Sequence, residues 1–363
     1  MKFGIAYATH PDVIASCVEA DRLGYDAVHL YDTPLVFSEV FSVAGAVAVL
    51  TERIRIGISV AVPYLRLAHV LASGVGTLNQ MAPGRVQLAL GTGFTAALTT
   101  GSKAETWATV ADVARVCRGI LADELTEATV KGERRLVKHL HSDLGFINTR
   151  DLVPIHISAA GPKGMRTTAE LADGFYTMSA GRRPDPAEVA DTVGTINDLA
   201  RQAGRGPLPV TLFTTMAVKA PDEPSDSPRL RGFVGPAITQ HFHGDLGFGV
   251  DDPRTPPVLR DAARRFHDEV GSKITGPAPY VEQHRGHAIF VRDEEAHLLT
   301  PELVEEVCQI GTAEELIEEI AALEVAGIDE IVWQVMPGHE DEVARFAAEI
   351  MEPFRARVEG RSA

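Results

Sequence analysis

The chain has 363 residues, 45% of them hydrophobic, enough to bury a large core either as one α/β barrel or as two smaller domains. Asp and Glu outnumber Lys and Arg by 50 to 34, and the net charge of −16 argues against a nucleic-acid partner or an anionic membrane surface. Cys17, Cys117 and Cys308 are odd in number, far apart and in no C-x-x-C pattern, which argues against a disulfide framework or a thiolate metal site and points to a reducing cytoplasm. Met1 to Ala8 runs straight into a strand with no basic leader, and the longest apolar run, Val40 to Leu50, is too short to span a bilayer, so neither signal nor anchor is expected.

In chain order, Phe3 to Ala8 reads as a first buried strand and Asp12 to Leu23 as a helix closed by Gly24. Asp26 to Tyr31 is a second strand with Asp32 at its carboxyl end, followed by the alanine-rich helix through Leu50. Ile54 to Val60 is the third strand and Leu65 to Met81 its helix, stopped by Pro83-Gly84. Val86 to Leu90 is the fourth strand, ending in Gly91-Thr92-Gly93, and Trp107 to Leu121 is helical. Glu124 to Leu152 reads as an excursion with strand-like pieces at Thr129-Val130 and Leu136 to Leu140.

Pro154 to Phe175 then gives a short buried strand at Ile155 to Ser158, a small-residue turn, and a helix opened by Pro162. Small residues let a ligand approach the backbone, and a helix N-terminus favours an anion, with Lys163 beside it. The same pattern also fits a tight connection in any α/β protein. Phe175 to Met178 is a sixth strand, Pro186 to Gln202 a helix, and Val210 to Val218 a seventh strand.

Pro221 to Gln309 breaks the rhythm with prolines, glycines, an amphipathic piece near Leu259 to Val270 and histidines that include those at 241, 243, 284, 287 and 297. A long insertion of this kind on a barrel loop reads as a lid or substrate wall. Thr312 and Glu315 form a capping box opening a helix to Ala326, Glu330 to Val335 is an eighth strand, and Glu340 to Arg357 a final helix. Strands alternating with helices in this way predict one closed (β/α)8 TIM barrel over residues 1–363, with 221–309 inserted before the last βα unit and functional groups at the carboxyl ends of the strands. A doubly wound open sheet is the alternative.

Three segments carry a resemblance to the bacterial luciferase-like barrel superfamily: I-G-I-S-V-A-V-P-Y-L-R at Ile56 to Arg66, G-R-V-Q-L-A-L-G-T-G at Gly84 to Gly93, and I-S-A-A-G-P with A-D-G-F after it. Within that superfamily the chain resembles enzymes that use the deazaflavin coenzyme F420, both reductases and sugar-phosphate dehydrogenases. The resemblance implies that Asp32 contacts the coenzyme and that Ser59-Val60 forms a bulge with a non-prolyl cis peptide behind the ring. It implies further that Thr92-Gly93 runs along the coenzyme, and that Ser158, Ala159, Ala160, Gly161 and Pro162 form the turn near its phosphate, with Lys163 and Gly164 at the helix start. It implies an oxidoreductase passing a hydride between coenzyme and a small organic substrate, with homo-oligomers usual.

Two departures matter. Thr33 stands where the sugar dehydrogenases carry a histidine, and Phe94 where they carry a glutamate. Both acid/base groups are therefore absent, which favours reduction of an activated double bond over alcohol oxidation. FMN with a monooxygenase reaction is the alternative, and a non-catalytic coenzyme-binding barrel is the reading from another class.

His10, after the first strand, is the candidate proton donor, although such a histidine commonly only solvates a loop. Arg182-Arg183 could hold a substrate carboxylate or phosphate, or be a solvated basic loop. His241-x-His243 and His284-x-x-His287 resemble loose metal spacings, but no carboxylate or cysteine in the sequence pattern completes them, so no metal is expected. Gly91-x-Gly93 is too short for a dinucleotide fingerprint.

Overall fold

The computed structural model describes residues 1–179, 181–244 and 255–362, within which eight parallel strands close into a barrel. They are β1 (Lys2–Tyr7), β2 (Ala27–Leu30), β3 (Arg55–Ala61), β4 (Val86–Leu90), β5 (Ile155–Ser158), β6 (Gly174–Met178), β7 (Val210–Thr214) and β8 (Glu330–Val335). Each pairs with its sequence neighbours, and β8 returns to β1 in register from Lys2 opposite Glu330 to Tyr7 opposite Val335. That closure is the (β/α)8 barrel expected, and it excludes the open doubly wound sheet. Among the described residues no helix is long and apolar enough to cross a membrane.

Local chemistry sets the helix ends. Asp185 accepts from the backbone N–H groups of Ala187 and Glu188 ahead of Pro186, and Thr312 with Glu315 completes the reciprocal capping box. Gly24 and Gly327 take positive φ at the turns that return the chain to β2 and β8.

The two faces of the strands differ. Outward side chains are apolar and meet the helices: Phe3 packs edge-on to Phe354 with ring centroids 5.5 Å apart, and Trp333 stacks on Phe346 at 4.5 Å. Inward side chains are largely polar and reach across the barrel, where His29 of β2 meets Tyr176 of β6 at 5.7 Å. At the floor Arg55 of β3 donates to Glu330 of β8 at 2.5 Å and to Gln87 of β4 at 2.8 Å, and Gln87 lies 3.2 Å from His156 Nδ1. A barrel interior is more often filled by branched aliphatic side chains.

The structure corrects several expectations. Thr126–Val130 and Glu133–Val137 form an antiparallel hairpin around Lys131-Gly132, both at positive φ, so the strand pieces start earlier than expected and meet through a two-residue turn. The third helix is Ala68–Met81, preceded by a 3-10 turn at Pro63–Leu65. Phe94–Leu98 is a short helix that the sequence reading left unassigned. The final helix is interrupted by a π segment at Ala347–Met351. The seventh strand ends at Thr214, and Met216–Val218 instead pairs in parallel with Gln309–Gly311.

That two-stranded sheet ties together the ends of the 221–309 segment. Within it lie helices Pro228–His243, Pro257–Glu269, Pro279–Gln283 and Pro301–Val307. They meet loops at the carboxyl ends of the strands: a side chain added at Gly101 would collide with Tyr280, one at Gly181 would come within 3.1 Å of His241, and one at Gly244 within 2.6 Å of Leu98.

Candidate active site

Strand β2 delivers Tyr31 and Asp32 to the carboxyl end of the barrel. Asp32 is buried and its Oδ2 accepts from Arg66 Nη1 at 2.5 Å, while Arg66 Nη2 reaches Glu39 at 2.7 Å and the guanidinium lies over Phe41. Burial raises the Asp32 carboxyl above its ordinary range, and the Arg66 hydrogen bond and charge oppose this only in part. Asp32 Oδ1 and the Tyr31 hydroxyl are both buried with no hydrogen-bond partner among the described residues. Arg66 is a site residue that the sequence reading passed over, because its partner lies 34 positions away.

Next to β2, the peptide between Ser59 and Val60 is cis, and the pairing of β3 with β4 shifts register between Ser59 and Ala61. The Ser59 hydroxyl meets His29 Nδ1 at 2.9 Å, and burial lowers the His29 imidazole to about 3, with Arg55 adding to the shift. Gly91 and Gly93 lie against this bulge. A Cβ on Gly91 would stand 2.9 Å from Val60, and one on Gly93, whose φ is +77°, would stand 2.1 Å from Val62. Only glycine fits at position 93 without moving the bulge. Thr92, half-buried, also fixes the loop, its carbonyl accepting from the Glu105 N–H at 2.8 Å.

After β5, Ser158 is half-buried, Ala160, Pro162 and Lys163 are exposed, and nothing lies within 4 Å of where a Gly161 side chain would start. Pro162 opens a ten-residue helix there, so its first N–H groups and Lys163 face an open turn. Ala159 and Gly164 differ from these neighbours: both are buried, and a Cβ on Gly164 would stand 2.4 Å from Trp107 and 2.7 Å from Ala159. Close packing of the helix on Trp107 accounts for their small size.

His10 stands apart from this group. It lines a groove of about 630 Å³ with Asp12, Ala15, Ser16, Glu19 and the 337–341 segment, and none of the predicted coenzyme residues borders that groove. Its Nδ1 is 3.7 Å from Asp12, and its Nε2 is buried without a partner. Arg182 and Arg183 are engaged by Glu188 and Glu319, with Arg183 also donating to the Ile310 carbonyl, so neither is a free solvated cation. Phe94 is 40% exposed at the start of its short helix.

Three of the insertion's histidines come together in the fold, while His297 pairs with Glu269 at the surface. His243, His284 and His287 are all buried, and Glu295 pairs with His243 at 2.7 Å, a carboxylate that sequence spacing had not supplied. Even so, among the described residues no group of three or more His, Cys, Asp or Glu is placed to hold a metal ion. The three cysteines are free and buried, and burial raises every thiol, Cys117 to about 12.

Comparison with known proteins gives a consistent placement. The chain is 32% identical over 214 residues to 5,10-methylenetetrahydromethanopterin reductase from Methanolobus tindarius, covering 57% of this chain and 62% of that one. It is 32% identical over 170 residues to an F420-dependent glucose-6-phosphate dehydrogenase from Nakamurella multipartita, covering 44% of this chain and 47% of that one. These matches thus span about half to just under two thirds of the relatives' length. The solved structure of the F420-dependent tetrahydromethanopterin reductase from Methanopyrus kandleri superposes with a TM-score of 0.70 at 18% identity, over 97% of this chain and 99% of that one, which is a likeness of fold. Residues 4–330 match the luciferase-like monooxygenase family, and the chain belongs to it.

Proposed function

We propose that this chain is an F420-dependent oxidoreductase that passes a hydride between the deazaflavin and a small organic substrate, with reduction of an activated double bond as the reaction. The observation that carries this reading is the pair of unpartnered buried polar atoms at the mouth, Asp32 Oδ1 and the Tyr31 hydroxyl, beside a glycine-lined bulge and opposite an open helix N-terminus. Unpaired buried polar groups are costly, so where they cluster on one rim a ligand with matching donors and acceptors is the natural partner. The residues fit a coenzyme with a polar ring edge at one end and a phosphate at the other.

When bound, the deazaflavin supplies two-electron hydride chemistry. The chain's own part is binding and orientation. Asp32, held by Arg66, presents one carboxylate oxygen to the ring edge. The Ser59-Val60 bulge and Gly93 would hold the ring, and Gly161, Lys163 and the helix N-terminus would receive the phosphate. His10 borders a separate groove, but its buried Nε2 has no partner among the described residues, and on that ground it is the proposed proton donor; His10→Asn should then lower turnover while leaving coenzyme affinity unchanged. Equal turnover in the variant would remove His10 from the mechanism.

The name of the glucose-6-phosphate dehydrogenase relative supports the coenzyme. The family description favours a second reading, an FMN-dependent monooxygenase. Anaerobic titration with reduced F420 and with reduced FMN, followed by oxygen-uptake measurements and a panel of activated alkenes, separates them. F420 binding with coenzyme consumption by an alkene is expected. Tight FMN binding with substrate-dependent oxygen uptake would make the chain a monooxygenase, and coenzyme binding without consumption across the panel would favour a non-catalytic barrel.

A further inference from the structure

Outside the coenzyme site, one buried cluster is left without a role. His243 from the end of the Pro228–His243 helix, His284 and His287 from the turns after Pro279–Gln283, and Arg292 and Glu295 from the following segment are each at most 8% exposed. The ring centroids of His243, His284 and His287 are 5.5 to 6.4 Å apart. Each imidazole uses one nitrogen: His243 Nε2 meets Glu295 at 2.7 Å, His284 Nδ1 meets the Tyr280 carbonyl at 2.8 Å, and His287 Nε2 meets the Thr95 hydroxyl at 3.4 Å. The other nitrogen of each, His243 Nδ1, His284 Nε2 and His287 Nδ1, is buried without a partner among the described residues.

Charge decides how this arrangement behaves. With neutral imidazoles the cluster holds one cation, Arg292, on one anion, Glu295. Glu295 is already shared between His243 and Arg292, so a proton on His284 and another on His287 would put two imidazoliums and a guanidinium against a single carboxylate in a buried space. The surrounding elements offer little compensation. His241, on the same helix as His243, adds another imidazole, and the Pro257–Glu269 helix presents the Phe266 ring. The Phe94–Leu98 helix presents the neutral Thr95. Among the described residues the carboxylates at the rim are Glu294, 3.8 Å from Arg292, and Glu282, which pairs with Arg285. Burial lowers His284 and His287, with His243 as a further cause for both, and lowers His241 to about 4.

The position of the cluster gives this a consequence. The bond from His287 to Thr95 joins the insertion to the helix that follows the Gly91–Gly93 loop, and Tyr280 lies against Gly101 on the same stretch. We propose that the cluster is a proton-sensitive latch: while its histidines are neutral the 279–295 segment stays seated on the 94–101 stretch, and protonation of His284 and His287 releases it and opens the carboxyl end of the barrel. The latch stands on this geometry whichever coenzyme binds.

The test is amide hydrogen exchange on the full chain without coenzyme, corrected for intrinsic rates. Between about pH 7.5 and about pH 5.5, protection of 94–101 and 279–295 should fall by about tenfold while β4 and β8 hold theirs. A His284→Gln/His287→Asn double variant, in which neither position titrates, should show less than about a twofold change over the same range. Unchanged protection in the wild type, or opening of the variant in step with it, would overturn the latch. Should the variant lose barrel protection at neutral pH, imidazole NMR titration of the wild type decides. Titration of His284 and His287 together with loss of protection supports the latch, and titration with the segment still protected overturns it.

Discussion

At the floor of the barrel Arg55 is held by Glu330 and Gln87, Gln87 meets His156, and Thr211 donates to Glu330. At the mouth, a few residues further along the same sheet, the Tyr31 hydroxyl, Asp32 Oδ1 and Gln334 Oε1 are buried and unpaired. Both regions are polar, so polarity alone does not mark the site. What separates them is satisfaction: the floor spends its hydrogen bonds on the fold, and the mouth leaves them for something else. Substitutions at the floor should therefore cost stability, and substitutions at the mouth should cost binding.

The largest expected effect is at the floor. Glu330→Leu leaves Arg55 without its carboxylate and should destabilise by about 3 kcal/mol in urea unfolding. A loss below about 1 kcal/mol would mean that the ion pair adds little beyond its own desolvation. Gly93→Ala, on the rim, should cost about 2 kcal/mol because it combines a positive φ with a collision against Val62. Gly161→Ala, in open space, should stay within about 0.5 kcal/mol of wild type and weaken coenzyme binding instead. The contrast between the two glycines is read by running thermal melts and coenzyme titrations on both.

Acid sensitivity should also track the floor. Burial lowers His156 to about 4, whereas an unfolded histidine titrates near about 6.5. As pH falls the unfolded chain takes up the proton first, so this contribution is complete above about pH 6.5, is lost between there and about pH 4, and is flat below. His156→Gln should remove about 1 kcal/mol of the stability lost between about pH 7 and about pH 5.5. Parallel pH–stability curves for the two proteins would contradict the assignment. Among the charged groups the smallest stability effect belongs to Asp32→Asn. The folded environment already disfavours its charge, so the change should stay under about 1 kcal/mol.

Much of the fold was readable from the chain because βα alternation is a local pattern. Trp107–Leu121, Pro186–Gln202 and Glu330–Val335 have the bounds that periodicity, caps and breakers predict, and the alanine-rich helix ends at Leu50 as expected. The five-residue helix Phe94–Leu98 is too short to show a period. The hairpin had a readable signal in Lys131-Gly132, a two-residue turn with both φ positive. The polar interior was hidden for another reason: parallel strands read as apolar runs, and the inward positions His29, Gln87, His156 and Glu330 find their partners only once the barrel closes. For the site, resemblance marked Asp32 and the glycine loops. Arg66 and the pairing of His243 with Glu295, 52 positions away, needed the fold.

Equilibrium titration with F420 of the wild type and of Asp32→Asn, with a thermal melt of each, tests most directly whether the mouth is kept for a coenzyme. The account predicts saturable binding by the wild type, an affinity loss of about tenfold or more in the variant, equivalent to about 1.4 kcal/mol, and melting temperatures that agree closely. Binding that survives the substitution unchanged, or a variant that loses stability in proportion to affinity, would contradict it.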